Sequence, residues 1–330
     1  MSLCSTSTKG ILLTLLAGTL WGLISIFVRK LSALGLTSLD ITALRSFCAG
    51  IALLATVPLI DRNALKLKFL DIWCVAGCGI VSITLFNICY FAAIKLTTVN
   101  ISVVLLYTSP IFITLLSCFF FGEKFTRWKL LALVMVMLGC ILVSGMLSGG
   151  EMKLSPLGLL LGIGSGLFYG LYSIFGRFAQ QRGYSSLSIT LWSFIFAGAV
   201  SMLAIRYDRV MPALSNPHAW PALAGLVLVA TILPYCAYTA GLRLLPPSVA
   251  AITVAVEPIV GTLVGTLFFR EPLPIAAVVG MILIIAAMPV TRIVHGHGPC
   301  AQDAVIGMVA SGGEGRQELS LQDQIEDLKE

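Results

Sequence analysis

Two ionisable side chains, Glu257 and Arg45, stand inside apolar runs of the sequence. Glu257 lies about nine residues into the run 248–269. A charged carboxylate at membrane depth costs on the order of 3 kcal/mol, so it must be protonated, paired or in contact with water. Burial disfavours the charged form, so Glu257 could take up a proton on one side of a membrane and release it on the other, or bind a cationic group of a solute. The alternative is a carboxyl group at a helix kink that a neighbouring hydroxyl satisfies.

Arg45 lies close to the start of the run 40–60. Its long side chain could reach the membrane surface while its stem stays in the apolar layer, where it could pair with a carboxylate such as Asp40. The alternative is a guanidinium group that binds an anionic group of a solute.

Further polar and aromatic residues stand in the apolar runs without an evident lipid-facing role. Buried hydroxyl, amide and indole groups need partners, and a solute or cavity water can supply them. Helix packing or an interfacial position explains any one of them equally well. The candidates for a cavity wall are Trp21, Asn87, Tyr90, Tyr107, Tyr169, Tyr172, Trp192, Tyr235 and Tyr238.

Two prolines, Pro110 and Pro258, interrupt apolar runs that end at Glu123 and Glu271, and each pair is 148 residues apart. A proline removes a backbone donor and bends a helix. Membrane helices tolerate this better than soluble ones, because neighbouring helices or water satisfy the freed carbonyl. The sequence therefore predicts two equivalent kinked membrane helices.

The two glutamates are expected to cap the helices that follow them, or to pair with the nearby Lys124 or Arg270. They are structural residues at the ends of the repeats in this interpretation. Arg270 takes the place of Gly122 in the second copy, which weakens the match of that loop.

The duplication extends over most of the chain. The segment 21–29 aligns with 169–177, and 38–42 aligns with 186–190, at the same offset of 148. Tyr90 and Tyr238 are repeat-equivalent, whereas Arg45 corresponds to Ser193 and Glu257 to Ser109.

Composition defines the environment of these repeats. The 330 residues are 58% hydrophobic and 11% charged, whereas soluble proteins average about 25% charged residues, so lipid must be the solvent. The net charge of +6 comes from basic residues clustered in short loops, which indicates membrane orientation and argues against nucleic-acid binding. Most cysteines lie inside apolar runs and act as small hydrophobes. No metal or other cofactor is expected.

Ten apolar runs are long enough to span a bilayer. They are 10–28, 40–60, 71–94, 98–121, 128–147, 156–178, 187–205, 219–241, 248–269 and 273–291. The fold class is therefore an all-α membrane protein with ten transmembrane helices. Each repeat holds five spans, an odd number, so the second repeat is inverted in the membrane relative to the first. Basic residues number eleven against seven in favour of cytoplasmic termini.

The expected divisions are a first repeat over 1–147, a linker over 148–155, a second repeat over 156–292 and a largely disordered cytoplasmic tail over 293–330. A short amphipathic helix near the end of the tail is the alternative. Gly158, Gly162, Gly166 and Gly170 recur every four residues, which favours close packing along one helix face.

These features together resemble the EamA family of the drug/metabolite transporter superfamily. The resemblance is carried by the Trp21-Gly22 and Tyr169-Gly170 pairs, Arg45, the block from Pro110 to Glu123 and the block from Glu257-Pro258 to Glu271. It implies a ten-span secondary carrier in the plasma membrane that moves small metabolites, often outward, through a cavity between the halves.

The narrowest expectation is export of amino acids or related compounds by alternating access. The alternatives are a drug or cationic amine efflux carrier and a membrane sensor that signals through its tail. The expected partners are a small-molecule substrate, the bilayer and protons as coupling ion, with no nucleic acid, in a monomer or homodimer. Motifs of a membrane-embedded enzyme are absent from the sequence.

Overall fold

The computed structural model describes residues 2–146 and 155–295, and over these ranges the chain forms helices and turns without any β-strand. The α-helices in chain order are α1 (Ser2–Gly22), α2 (Ile24–Ser32), α3 (Ser38–Ile60), α4 (Ile72–Ala76), α5 (Phe86–Leu96), α6 (Val99–Leu106), α7 (Ser109–Phe121), α8 (Arg127–Val143), α9 (Pro156–Gln181), α10 (Ser186–Ser201), α11 (Tyr207–Leu214), α12 (Ala219–Val227), α13 (Leu233–Leu244), α14 (Pro247–Val254), α15 (Glu257–Phe269) and α16 (Ile275–His295). Short 3-10 turns cover Arg62–Leu65, Phe69–Asp71 and Met202–Ala204.

Eight helical segments of the described chain are long and apolar enough to cross a bilayer. They are Ser7–Ser32, Ser38–Ile60, Phe69–Leu96, Val99–Phe121, Pro156–Gln181, Ser186–Ala204, Ala219–Leu244 and Pro247–Phe269. The chain is thus an all-helical, multi-pass membrane protein. α8 has 17 residues, and the apolar part of α16 covers Ile275–Val290. Ten spans therefore remain a prediction.

Two of these segments consist of two helices with a break just before a proline. α6 is followed by α7, and α14 by α15, and Pro110 and Pro258 each lie in the first turn of the second helix. Proline is well accommodated there, since a first-turn N–H has no partner within the helix. The expected kinks are thus interruptions of the helix.

Two other segments contain wide helical turns that the sequence analysis did not anticipate. π-helical stretches cover Gly77–Leu85, between α4 and α5, and Leu228–Ile232, between α12 and α13. Hydroxyls bond the carbonyl five residues earlier, as Ser82 does to Gly77 and Thr231 does to Leu226. π-helical stretches are rare in proteins, and many of those that occur lie at functional sites.

The caps show how far the repeat symmetry extends. α7 ends at Gly122 with φ 66°, and α15 ends at Arg270 with φ 57°. Both are left-handed, a conformation that glycine adopts freely and arginine does not. The second copy therefore keeps the backbone of the first in spite of the substitution.

The glycine row of α9 packs closely against the other helices, as its spacing predicts. A Cβ atom at Gly158 would lie 2.6 Å from Thr97, one at Gly166 would lie 2.8 Å from the Leu105 carbonyl oxygen, and one at Gly170 would lie 3.3 Å from the Ser109 carbonyl oxygen. α9 of the second half thus packs on α5, α6 and α7 of the first half.

The equivalent glycines of α1 make the reciprocal contacts. A Cβ atom at Gly18 would lie 2.7 Å from the Val254 carbonyl oxygen, and one at Gly22 would lie 3.0 Å from the Glu257 carbonyl oxygen. The first helix of each half therefore packs against the fourth segment of the other half.

Two further helix pairs join the halves through small residues. Gly50 of α3 faces the backbone of Phe194 in α10, and its repeat mate Gly198 faces the backbone of Phe47. In the second pair, Gly139 of α8 and Gly280 of α16 each approach the other's carbonyl oxygen. The two halves thus pack together, and each of the two hydrophobic clusters in the described chain contains residues from both halves.

Two expectations fall largely outside the described residues. The linker 148–155 is described only at Ser155, where the side chain accepts a hydrogen bond from the Gly158 N–H. The tail beyond His295, with its expected disorder or amphipathic helix, also lies outside.

Candidate functional site

Glu257 is the first residue of α15, at the break that follows α14. Its carboxylate Oε2 accepts a hydrogen bond of 3.4 Å from the hydroxyl of Tyr169 in α9. The free N–H groups and the positive dipole end of α15 also favour a negative charge at this position. Discontinuous membrane helices use such ends to bind polar ligands. The neighbouring hydroxyl that the sequence analysis considered is therefore Tyr169.

Arg45 lies in α3 and is 7% exposed. Its Nε has no hydrogen-bond partner among the described residues. Its charge interacts with Glu257 and Tyr235, which both belong to the second half of the chain. The side chain is therefore buried and directed into the protein, and the expected reach to the membrane surface is wrong.

Asp40 was the expected partner of Arg45, and this pairing is also wrong. The Asp40 carboxylate accepts hydrogen bonds from Thr37 and from the backbone N–H of Arg206 at 3.2 Å, and it lies 3.8 Å from Arg209. It caps α3 and ties the start of that helix to the segment before α11. Arg45 has no ion pair within 4 Å in the described chain.

Aromatic rings from both halves form a cluster beside these charges. The Trp21 ring centroid lies 5.0 Å from Tyr235, 5.4 Å from Tyr238 and 6.5 Å from Tyr169. Tyr172 lies 5.1 Å from Tyr235. The hydroxyls of Tyr238 and Ser173 are hydrogen-bonded at 2.7 Å, and those of Tyr172 and Thr239 are hydrogen-bonded at 3.1 Å. The structure thus brings Trp21, Tyr169, Tyr172, Tyr235 and Tyr238 together.

Tyr90 and Tyr107 approach Glu257 from the first half. Tyr90 packs on Phe86, whose centroid lies 5.3 Å from that of Tyr169. Tyr107 and Glu257 line the same small cavity. They therefore extend the group of polar aromatic side chains around it.

Asn87 and Trp192 make contacts of other kinds. The Asn87 amide donates to the Ile83 carbonyl at 2.7 Å and accepts from Thr42 at 3.5 Å, so both of its ends are held by protein. Trp192 packs on Phe196, and its Nε1 has no partner among the described residues. No aromatic contact joins either residue to the cluster in the described part of the chain.

A cavity of about 140 Å³ lies between α6, the end of α8 and the first turns of α15. It is lined by Val103, Tyr107, Cys140, Val143, Ser144, Pro258, Gly261 and Thr262. A second cavity, of about 10 Å³, is lined by Tyr107, Ser109, Pro110, Ile113, Tyr169, Ala251, Val254, Ala255 and Glu257. Glu257 thus lines the smaller cavity, and the larger one begins at the next residue, Pro258.

Glu123 and Glu271 make contacts that differ from the expected ones. Glu123 accepts a hydrogen bond of 2.7 Å from Lys129 and a second one from the Ser248 hydroxyl, and Glu271 forms an ion pair with Arg29. The expected pairs with the adjacent Lys124 and Arg270 are wrong. Capping of α8 by Glu123 is wrong too, since the Thr126 side chain accepts the hydrogen bond there. Both glutamates join the two halves, a role that the sequence spacing did not reveal.

Another polar contact joins the halves outside the spans. The Tyr184 hydroxyl donates to Asp71 at 2.9 Å and accepts from the Lys68 N–H at 3.0 Å, while Arg182 pairs with the same aspartate at 2.9 Å. Burial, together with the Asp71 carboxylate, raises the pKa of Tyr184 above its ordinary value. Its hydroxyl stays protonated and remains a donor at neutral pH.

No group of three or more His, Cys, Asp or Glu side chains within residues 2–146 and 155–295 is arranged to hold a metal ion. The chemistry available to the site is therefore that of one guanidinium group, one carboxylate and the surrounding hydroxyl groups and rings. These groups can bind and orient a polar solute.

The fold and site define a multi-pass membrane protein with two equivalent halves and polar groups between them. The chain belongs to the EamA-like transporter family, whose model matches residues 8–145 and again residues 156–292. It is thus a member of a membrane transporter family.

Relatives agree with this assignment. An "uncharacterized transporter" of Archaeoglobus fulgidus is 28% identical over 83% of this chain and 92% of its own length. The "uncharacterized transporter YetK" of Bacillus subtilis is 22% identical over 76% of this chain and 77% of its own length. A solved protein structure superposes with a TM-score of 0.73 at 18% identity, covering 87% of this chain and 97% of that one, which shows the fold.

Proposed function

We propose that this protein is a secondary carrier of the plasma membrane that exports amino acids or closely related compounds by alternating access. It crosses the membrane ten times, with α8 and α16 as the fifth and tenth spans, in two inverted repeats of five. Both termini are cytoplasmic. Inverted repeats give two similar packings, each open to one side, around a shared site.

The observation that carries this proposal is the relation between Arg45 and Glu257. The two charges come from different halves and interact, yet no direct ion pair of 4 Å or less joins them in the described chain. A zwitterion between them would pair its carboxylate with the guanidinium group of Arg45 and its ammonium group with Glu257. The rings of Trp21, Tyr169 and Tyr235 would enclose the rest of the solute.

The first test is efflux from proteoliposomes loaded with a broad metabolite mixture, followed by mass spectrometry against protein-free vesicles. Saturable loss of amino acids supports the proposal. Arg45→Ala should then raise KM at least tenfold for zwitterionic solutes, because a charge-assisted hydrogen bond contributes about 1.5–3 kcal/mol. Retention of all amino acids, with and without a pH gradient, contradicts it.

A second candidate is efflux of cationic amines, which the cluster of aromatic rings next to Glu257 favours. Aromatic faces attract cations within about 6 Å of the ring centroid, and such a solute would not need Arg45. The Arg45→Ala variant separates the candidates. For an amine without a carboxylate, the KM of the variant should equal that of the unmodified protein. Proton coupling through Glu257 belongs to either candidate.

A further inference from the structure

Three pairs of repeat-equivalent residues near the membrane surfaces make different contacts in the two halves. The pairs are Arg29 with Arg177, Glu123 with Glu271, and Phe121 with Phe269, each 148 residues apart. In a symmetric molecule each member of a pair would have the same partners. Part of the difference follows from the sequence, because Lys129 and Ser248, which hold Glu123, correspond to Ala277 and Asn100 in the other half. The two arginines are identical and a backbone carbonyl is available to each, so their different partners report how the present conformation departs from symmetry.

One surface carries Arg29, at the end of α2. Its guanidinium group forms an ion pair with Glu271 and lies 4.1 Å from the centroid of the Phe269 ring. Both charged side chains are about half exposed, at 51% and 47%. These contacts join the end of α2 to the end of α15.

The opposite surface carries Arg177, near the end of α9. Arg177 Nη1 donates to the Leu242 carbonyl at 3.0 Å, and Gln180 donates to the Thr239 carbonyl at 2.6 Å. These bonds join the end of α9 to the end of α13. Arg177 does not pair with Glu123, which is held by Lys129 and Ser248 instead, and its Nε has no partner among the described residues.

The two surfaces lie at opposite ends of one segment. Ser248 is the second residue of the segment Pro247–Phe269, and Glu271 follows its end. At 1.5 Å per residue this segment spans roughly 30 Å. Contacts at Glu123 and Glu271 can therefore govern access from different sides of the membrane.

Two cavities at the break between α14 and α15 differ in size. They are lined in part by repeat-equivalent residues, such as Pro258 and Gly261 in one and Pro110 and Ile113 in the other. The cavity on the Arg29 side of the break has about 140 Å³, and the one on the Arg177 side has about 10 Å³. More free volume therefore lies on the Arg29 side, which favours the Arg177 surface as the closed one.

We propose that Arg29 and Arg177 are the gate residues of the carrier and exchange partners during each cycle. At the closed surface the arginine holds a carbonyl oxygen of the third segment, as Arg177 holds that of Leu242. At the open surface it holds the glutamate after the fourth segment, as Arg29 holds Glu271. In the opposite conformation Arg29 binds the carbonyl of Ile94, the mate of Leu242, and Arg177 pairs with Glu123.

This inference rests on the proposed alternating access, and its test does not use transport as its readout. Two pairs of spin labels in the full chain, reconstituted in lipid nanodiscs after replacement of the native cysteines, report the two surfaces. One pair is Gln181→Cys with Arg243→Cys, at the ends of α9 and α13. The other is its repeat mate, Ala33→Cys with Lys95→Cys. All four positions are exposed.

Glu271→Ala removes a partner that Arg29 uses only in the present conformation. We expect the distance between positions 181 and 243 to lengthen and that between 33 and 95 to shorten in part of the molecules. An exposed ion pair contributes up to about 1 kcal/mol, so the ratio of the two populations should change about two- to fivefold.

The matched control is Asp208→Ala, which removes the exposed ion pair of Asp208 with Arg206 and should leave both distances unchanged. A charge-swapped variant, Arg29→Glu with Glu271→Arg, keeps the ion pair but places an acceptor where the Ile94 carbonyl needs a donor. Because the variant also loses the contact of Arg29 with the Phe269 ring, we expect it to populate the opposite conformation less than Glu271→Ala does.

A shift in Glu271→Ala that is smaller or absent in the charge-swapped variant supports the gate, whereas an equal shift in both variants overturns it. Distances that match those of the Asp208→Ala control in both variants overturn it, even if the protein transports amino acids. Distances that shift as expected in a protein that exports no amino acid leave the gate standing and remove the proposed solute.

Discussion

Glu257 combines the features that a coupling residue needs, at the scale of a single side chain. It lies at a helix start, its carboxylate is within hydrogen-bond reach of one tyrosine hydroxyl, and it lines a small cavity. A carboxyl group that binds a proton at one stage of transport makes the rate depend on pH. The same group without a titrating role would leave the rate unaffected by pH.

Glu257→Gln keeps the size of the side chain and removes its titration. We expect the variant to lose the pH dependence of amino acid efflux, because glutamine cannot bind and release the coupling proton. The measurement is the initial efflux rate from proteoliposomes over a series of pH gradients. An exposed carboxylate far from the site, changed in Asp208→Asn, serves as the control. A pH dependence equal to that of the unmodified protein would remove Glu257 from coupling.

Tyr169→Phe tests the hydrogen bond to Glu257 separately from the ring contacts. The ring remains against Trp21 and Phe86, while the carboxylate loses its donor. A typical hydrogen bond contributes about 0.5–1.5 kcal/mol, so we expect KM for a solute with an ammonium group to change two- to tenfold. Tyr238→Phe is the matched control, since it also removes a tyrosine hydroxyl, one that is hydrogen-bonded to Ser173. Equal effects of the two variants would contradict a specific role of Tyr169.

Charge in an apolar run was the signal that led from sequence to site. Glu257 and Arg45 stood out because an ion at membrane depth is costly, and the structure brings their charges into interaction. Asn87 and Trp192 stood out equally, yet their contacts are with Ile83, Thr42 and Phe196, since the sequence does not give the direction of a side chain around its helix. The partners of Glu123 and Glu271 were missed because contacts between distant segments leave no local pattern.

At the scale of helices, the halves are held together mainly by close approach of helix backbones. The chain predicted it through the four-residue spacing of glycines in α9, because that spacing aligns small residues on one face. The contacting helices could not be inferred, since the same row would fit any smooth partner. The π-helical stretches also left no clear signal, because their hydroxyls at Ser82 and Thr231 look like ordinary helix residues.

Two glycines in α9 allow a matched test of this packing. A Cβ atom at Gly166 would lie 2.8 Å from the Leu105 carbonyl oxygen, whereas one at Gly164 would meet its nearest neighbour, Phe168, at 3.9 Å. We expect Gly166→Ala to destabilise the protein by about 1–3 kcal/mol through overpacking. Gly164→Ala should be neutral or stabilising by up to about 1 kcal/mol. Thermal unfolding in detergent measures both, and equal melting temperatures would refute the close contact.

The cap of α15 allows a second test. Arg270 has φ 57°, a left-handed conformation that costs a non-glycine residue about 1–2 kcal/mol. Arg270→Gly should therefore raise the melting temperature. Gly122→Ala, at the repeat-equivalent position with φ 66°, should lower it. The cap explanation fails if both substitutions act in the same direction.

The arrangement of the whole molecule depends on whether α8 crosses the membrane. If each repeat has five spans, the linker at 148–154 lies on the opposite side from the N-terminus, and the C-terminus lies on the same side as the N-terminus. Epitope tags at the three positions, probed with antibody in intact and permeabilised cells, should show this pattern. A linker tag on the N-terminal side would contradict the inverted repeats.

The contacts of α1 also have a consequence for biosynthesis. Its glycine face packs against α14 and α15. The ribosome makes these two helices near the end of synthesis, and only α16 and the tail follow them. The first helix therefore enters the membrane long before its partner exists, and it must be held by lipid or by an insertion factor until synthesis is nearly complete. A chain that stops after the first repeat leaves this face uncovered, and two separately expressed halves become stable only by assembling with each other. Completion of the polypeptide is thus the event that commits this protein to its folded state.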